Sequence, residues 1–164
     1  MKRFLYVSLI LALFSAGAAI AQEPTIIAIF PLKNLGGEVI YDSLSWKYAD
    51  SLEAYLNSKA ESGKVFKMIS MDDLRDQMLA QNVDIKSPSY ETDIWKIVKL
   101  LGAKKLIWGT YLVKYDRANL ELKVYDVRTM MYDMTNFAPK LRAPYTDALS
   151  TVQAGGDKIL PALK

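Results

Sequence analysis

A chain of 164 residues with 21 Lys and Arg against 18 Asp and Glu is long enough for one domain that buries about two-thirds of its unfolded surface. It contains no cysteine and no histidine, which excludes a disulfide scaffold and thiol catalysis and removes the commonest general base and metal ligand. A net charge of only +3 leaves no electrostatic footprint for nucleic acid. At the amino terminus, Lys2 and Arg3 precede an apolar run, and Ala19-Ile20-Ala21 closes it. That is the pattern of a secretory signal peptide cut after Ala21. The run from Phe4 to Phe14 is short for a bilayer span of about 20 residues, which counts against retention as an uncleaved anchor. A lipid anchor would need a cysteine after the small residues. Residues 22–164 are therefore expected to form one domain in the periplasm or outside the cell, near a membrane without being tethered to it.

The stretch Thr25 to Pro31, TIIAIFP, predicts a strand buried on both faces, because Ile26 to Phe30 follow one another without a polar interruption. Asn34-Leu35-Gly36-Gly37 predicts a turn. Apolar positions at Tyr41, Leu44, Tyr48, Leu52, Tyr55 and Leu56 then recur at helical intervals, up to Ser62-Gly63. Lys64 to Ile69 predicts a second strand, and Ser70 with Asp73 a near capping box opening a helix over 71–81. After a loop carrying Pro88, Ser89 or Thr92 can cap a third helix, with Ile94, Ile97, Val98 and Leu101 inward and Gly102 at its end. Leu106 to Asp116 and Leu120 to Tyr125 predict an antiparallel hairpin, turned at 116–119. A further strand is expected over Met131 to Phe137, a connection over 140–144 and a last helix over 145–154, weakened at Gly155-Gly156 and kinked at Pro161. The order β-α-β-α-α-β-β-β-α describes a single α/β (α+β) domain, a mixed parallel and antiparallel sheet with covering helices.

Three of these segments resemble the amino-terminal domain family of TolB, a periplasmic protein: IIAIFPLKNLGG at 26–37, YADSLEAYL at 48–56, and the helix, Leu-Gly-Ala turn and long hairpin at 97–129. The likeness covers most of the chain after Ala21 and rests mainly on packing and turn residues. It implies a mixed α/β fold serving as a periplasmic binding or scaffolding module, with no catalytic residues to carry over. Relatives of that family include the curli-secretion lipoprotein and an outer-membrane activator of penicillin-binding proteins. This sequence departs from both in lacking the lipidated cysteine, and from TolB in having no propeller after the domain.

Candidate functional residues concentrate in the hairpin region. Tyr111, Tyr115, Tyr125, Tyr132 and Phe137 give it aromatic weight, and Met134, with Met130 and Met131, adds adaptable apolar area. Cross-strand packing inside the sheet is the plainer account of each residue singly; as a group they mark the expected contact surface for an envelope protein or a second copy. An open sheet edge beside them would admit a partner's strand. An alternative is a subunit of an outer-membrane export or assembly complex. Another is a nucleotide- or metal-dependent enzyme using Gly36-Gly37, although that loop lacks both G-x-G-x-x-G and a following Gly-Lys-Ser/Thr. Asp72, Asp73 and Asp76 are read as partners of a helix dipole before a cation site. Asp126 is read as opening a turn before being a buried acid of raised pKa. No cofactor, metal or catalytic residue is expected.

Overall fold

The structure, a computed structural model, describes residues 23–164; the signal-peptide expectation falls on residues outside them. Strand β1, Thr25–Ile29, is paired in parallel on both sides. It meets β3 (Phe66–Met68) through Thr25↔Phe66 and Ile27↔Met68, and β4 (Lys105–Lys114) through Ile27↔Lys105 and Ile29↔Ile107. Ile27, Ala28, Ile29 and Phe30 are buried, while Ile26 keeps part of its side chain in water. From Ile27 onward the strand has no solvent face and so does not alternate. Pro31, without an N–H, interrupts the ladder, and the chain resumes as β2, Lys33–Asn34, further along the same β4.

Strand β5, Arg117–Asp126, returns antiparallel on β4 in unbroken register from Lys114↔Arg117 to Lys105↔Asp126. The next position in the sheet is shared by β6, Met131–Tyr132, and β7, Ala138–Pro144. The seven-stranded sheet thus runs β3-β1-β4-β5-β6, with β2 also on β4 and β7 also on β5. It is the mixed sheet of a single α+β domain.

Helix α1, Leu44–Asn57, turns Leu44, Tyr48, Ala49, Leu52 and Leu56 to the sheet. Helix α2, Met71–Ala80, is opened by Ser70, whose hydroxyl accepts from Asp73 N–H at 3.1 Å. Helix α3, Tyr90–Leu100, buries Tyr90, Ile94, Ile97 and Val98, and α4 spans Thr151–Ile159. The Tyr48 ring of α1 packs on Tyr111 of β4 at 5.5 Å between centroids, whereas Tyr90 and Trp95 of α3 meet Trp108 of β4 and Tyr125 of β5. Residues 108 and 111 point to opposite sides of β4. Helices α1 and α4 therefore cover one face, called inner below, and α3 covers part of the outer face.

Four expectations are corrected. The hairpin turns at Tyr115-Asp116, whose φ values are 51 and 54°, the double left-handed geometry of a tight hairpin; residues 117–119 belong to β5. The strand expected over 131–137 stops at Tyr132, because the Asp133 carboxylate accepts N–H bonds from Thr135 at 2.8 Å and Asn136 at 2.9 Å and folds the chain into an Asx turn. The expected connection at 140–144 is strand β7. Residues 145–150 form a 3-10 turn, and α4 then runs through Gly155-Gly156 instead of ending near them. The glycines serve close packing: a Cβ at 155 would lie 2.8 Å from Leu122 Cδ1, and one at 156 would lie 2.6 Å from the Tyr55 ring.

Candidate partner interface

The register of β4 on β5 lays the outer face out in rows. Leu106 stands beside Tyr125, Trp108 beside Lys123, Thr110 beside Glu121, Leu112 beside Asn119 and Lys114 beside Arg117. Helix α3 lies over the first two rows. There Trp108 and Tyr125 stack at 6.4 Å, and Trp95 closes on Tyr125 edge-on at 5.7 Å. The aromatic chain continues outward through Tyr132, 5.9 Å from Tyr125, to Phe137, 6.0 Å from Tyr132. Tyr132 also carries the Lys123 ammonium 5.1 Å from its ring centre. Burial raises the pKa of the Tyr125 phenol, which stays a neutral donor at physiological pH. Met134, in the turn between Tyr132 and Phe137, is 72 % exposed.

Among the described residues, no helix lies over the remaining rows, Thr110–Glu121, Leu112–Asn119 and Lys114–Arg117. They floor a concavity of about 600 Å³, walled by Leu35 after β2, by Tyr115 at the hairpin tip and by Lys140 and Arg142 on β7. Arg142 stands beside Asn119 on the far side of β5, so a single row runs Leu112, Asn119, Arg142. Glu121, the carboxylate among the lining residues, is engaged by Lys123 at 2.5 Å. Among the described residues, Lys114, Arg117, Lys140 and Arg142 have no carboxylate within 4.0 Å.

The structure divides the candidate residues. Tyr125, Tyr132 and Phe137 meet edge to face in one chain, Met134 lies exposed in the turn between Tyr132 and Phe137, and Tyr115 stands 87 % exposed at the other end of the outer face. Tyr111 does not join them: it is 1 % exposed on the inner face and donates its hydroxyl to the Tyr41 carbonyl at 2.9 Å. It offers no surface. The strand-addition route is also closed in part, since β7 carries Pro139, Pro144, Lys140 and Arg142 on the outer edge of the sheet, residues that blunt an edge against pairing.

Lys114, Arg117, Lys140 and Arg142 escaped the sequence reading. For Lys114 and Arg117 the signal was present in the alternation of β4 and β5 about a two-residue turn. For Lys140 and Arg142 it is masked by Pro139 and Pro144, which bracket residues 140–143 and predict a connection. The Gly36-Gly37 loop is not shaped as a phosphate cradle. Gly36 N–H is taken by the Asn34 side chain at 2.9 Å, that side chain also donates to Asp42 at 3.0 Å, and α1 begins only at Leu44. The Asp73 carboxylate accepts from the hydroxyl of the cap residue Ser70 at 2.7 Å, and Asp72 pairs with Arg75 at 3.1 Å. Among the described residues no group of three or more acidic side chains is placed to hold a metal ion. Asp126 is exposed, and its carboxyl is held below the usual range first by the Thr129 N–H, at 2.8 Å, as a turn-opening aspartate should be.

No protein-family model matches the sequence, and no curated protein sequence matches it. Solved structures show the fold. LpoB from Escherichia coli superposes with a TM-score of 0.54 at 12% identity, over 74% of this chain and 58% of that one. Lipoprotein GNA1162 from Neisseria meningitidis gives 0.53 at 14% identity, over 85% and 95% of the two chains. TolB from Acinetobacter baumannii gives 0.50 at 19% identity over 88% of this chain, which spans only 29% of TolB.

Proposed function

We propose that this chain, built on the TolB-like fold it shares with LpoB and GNA1162, is a non-enzymatic module of the cell envelope that docks a protein partner on its outer sheet face. The observation that carries the reading is the unequal covering of the sheet. Among the described residues, the inner face is closed by α1 and α4, while the outer face is closed over two rows only, bordered by Tyr125, Tyr132 and Phe137, with the exposed Met134 in the turn between the last two. Aromatic and methionine side chains at the margin of an open sheet are the composition that interface cores favour. Tyr115 adds to this. A tyrosine held at φ 51° costs conformational energy that glycine or asparagine would not, and such strain collects at functional positions. The secretory leader expected in residues 1–21, and a lipoprotein among the proteins of this fold, support an envelope location.

The test uses the exposed members of the surface. A Tyr115→Ser, Met134→Ser double variant should keep the melting temperature of the parent within about 2 °C, since neither side chain is packed, and should lose capture of the envelope protein that the parent retains. Undiminished capture contradicts the assignment of this face.

A further inference from the structure

We propose that the concavity between Leu35 and Arg142 takes an extended, acidic segment of the partner, with an apolar side chain lodged on Leu112. This rests on the reading of the outer face as the docking surface and adds what docks there. The argument starts from the cations. Lys114 and Arg117 stand side by side across the hairpin, Arg142 stands beside Asn119 in the next row, and Lys140 reaches the same rim. Edge protection accounts for Lys140 and Arg142 and, past the end of β2, for Lys114, but not for Arg117, which is paired on both sides, with Lys114 and Pro144. None of these side chains has an acidic partner among the described residues, and Glu121 is already held by Lys123. A hollow lined by four cations and one carboxylate that is already paired, with Leu112 on its floor and Leu35 on its wall, complements a ligand that is acidic and partly apolar.

The shape selects among such ligands. A lipid surface meets a convex or flat basic patch, whereas these cations flank a hollow. Lys114 and Arg117 share one row and Arg142 stands in the next row, one strand further out, so the cations run obliquely across the strands, and an extended peptide crossing them, with alternate side chains about 7 Å apart, can set one carboxylate over the Lys114–Arg117 pair and another over Arg142. Arg117 and Arg142 can also bind carboxylates through two nitrogens at once. Tyr115, held into solvent by its left-handed backbone, closes the hollow at the hairpin tip.

The experiment uses a short synthetic peptide alternating Glu and Leu, its Gln-for-Glu counterpart, and anionic phosphatidylglycerol vesicles, each titrated against the full domain. Binding is followed by amide NMR shifts. The Glu peptide should move Thr110, Leu112 and Asn119, bind about tenfold or more tightly than the Gln peptide, and weaken as salt is raised. The Lys140→Glu, Arg142→Glu variant, with its amide spectrum confirming the fold, should lose that preference. Equal affinity for the two peptides, shifts confined to other surfaces, or binding to vesicles without binding to the peptide would each overturn the proposal. If the charge-reversed variant still captures the envelope protein, the acidic-segment inference fails while the docking face stands. If the parent captures nothing yet prefers the Glu peptide, it is the functional reading that fails.

Discussion

Tyr111 and Tyr115 lie four positions apart in the sequence and have opposite fates. One is sealed beneath α1, and the other stands in water at the hairpin tip. Strand parity could not separate them, because positions 111 and 115 fall on the same side of an extended chain; Tyr115 escapes burial because β4 ends at Lys114 and the turn begins at Tyr115. The parity that faced the helices was undecided until α1 brought Tyr48 against Tyr111. The buried phenols have a measurable consequence. Burial pushes Tyr48 and Tyr111 from an ordinary 10.0 up to about 12 and raises Tyr90 as well. Above pH 10 the unfolded chain gives up these protons while the folded chain keeps them. The stability tied to the neutral phenols, complete below pH 10, is therefore lost as pH rises toward 12. Followed by tyrosinate absorbance together with circular dichroism, the buried tyrosines should ionise only as the fold is lost, in one cooperative step. Ionisation of every tyrosine near pH 10 with the dichroism intact would contradict their burial.

At the scale of elements, what could be read in advance was whatever one element decides by itself. The unbroken apolar run of β1, the cap at Ser70 and the helical spacing of α1 and α3 are local and recur in the structure, although α1 spans Leu44–Asn57, with Tyr41 in a separate 3-10 turn before it and its end short of Ser62-Gly63. Helix α4 is different. Gly155-Gly156 looks like a stop when judged alone, yet both glycines are there for what they touch, which no local rule contains. The Tyr55 ring beside Gly156 is fixed, its hydroxyl donating to Asp157 at 2.6 Å while Lys59 lies over the ring face at 4.1 Å. Replacing a helical glycine with alanine normally gains about 1 kcal/mol; here the added methyl meets that ring, and overpacking costs about 1–3 kcal/mol. Gly156→Ala should thus lower the melting temperature of the parent, and the same substitution in a Tyr55→Ala background should raise it. Stabilisation in both backgrounds would mean that α4 does not pack on α1 as described.

The whole molecule is a sheet finished on one side and half finished on the other. The inner face was foreseeable, since a strand like β1 requires cover and the amphipathic helices supply it. The open half of the outer face was not, because it depends on where α3 stops and on the register of β7, relations between distant parts of the chain. The central claim is that this open half is where the partner sits. It is tested most directly by placing a photo-crosslinking amino acid singly at Leu112, Tyr115, Met134, Arg142 and, on the exposed side of α2, Leu79, with irradiation in intact cells. The account predicts one captured species from the first four positions and none from Leu79. Capture of the same species from Leu79, with the outer-face positions silent, would contradict it.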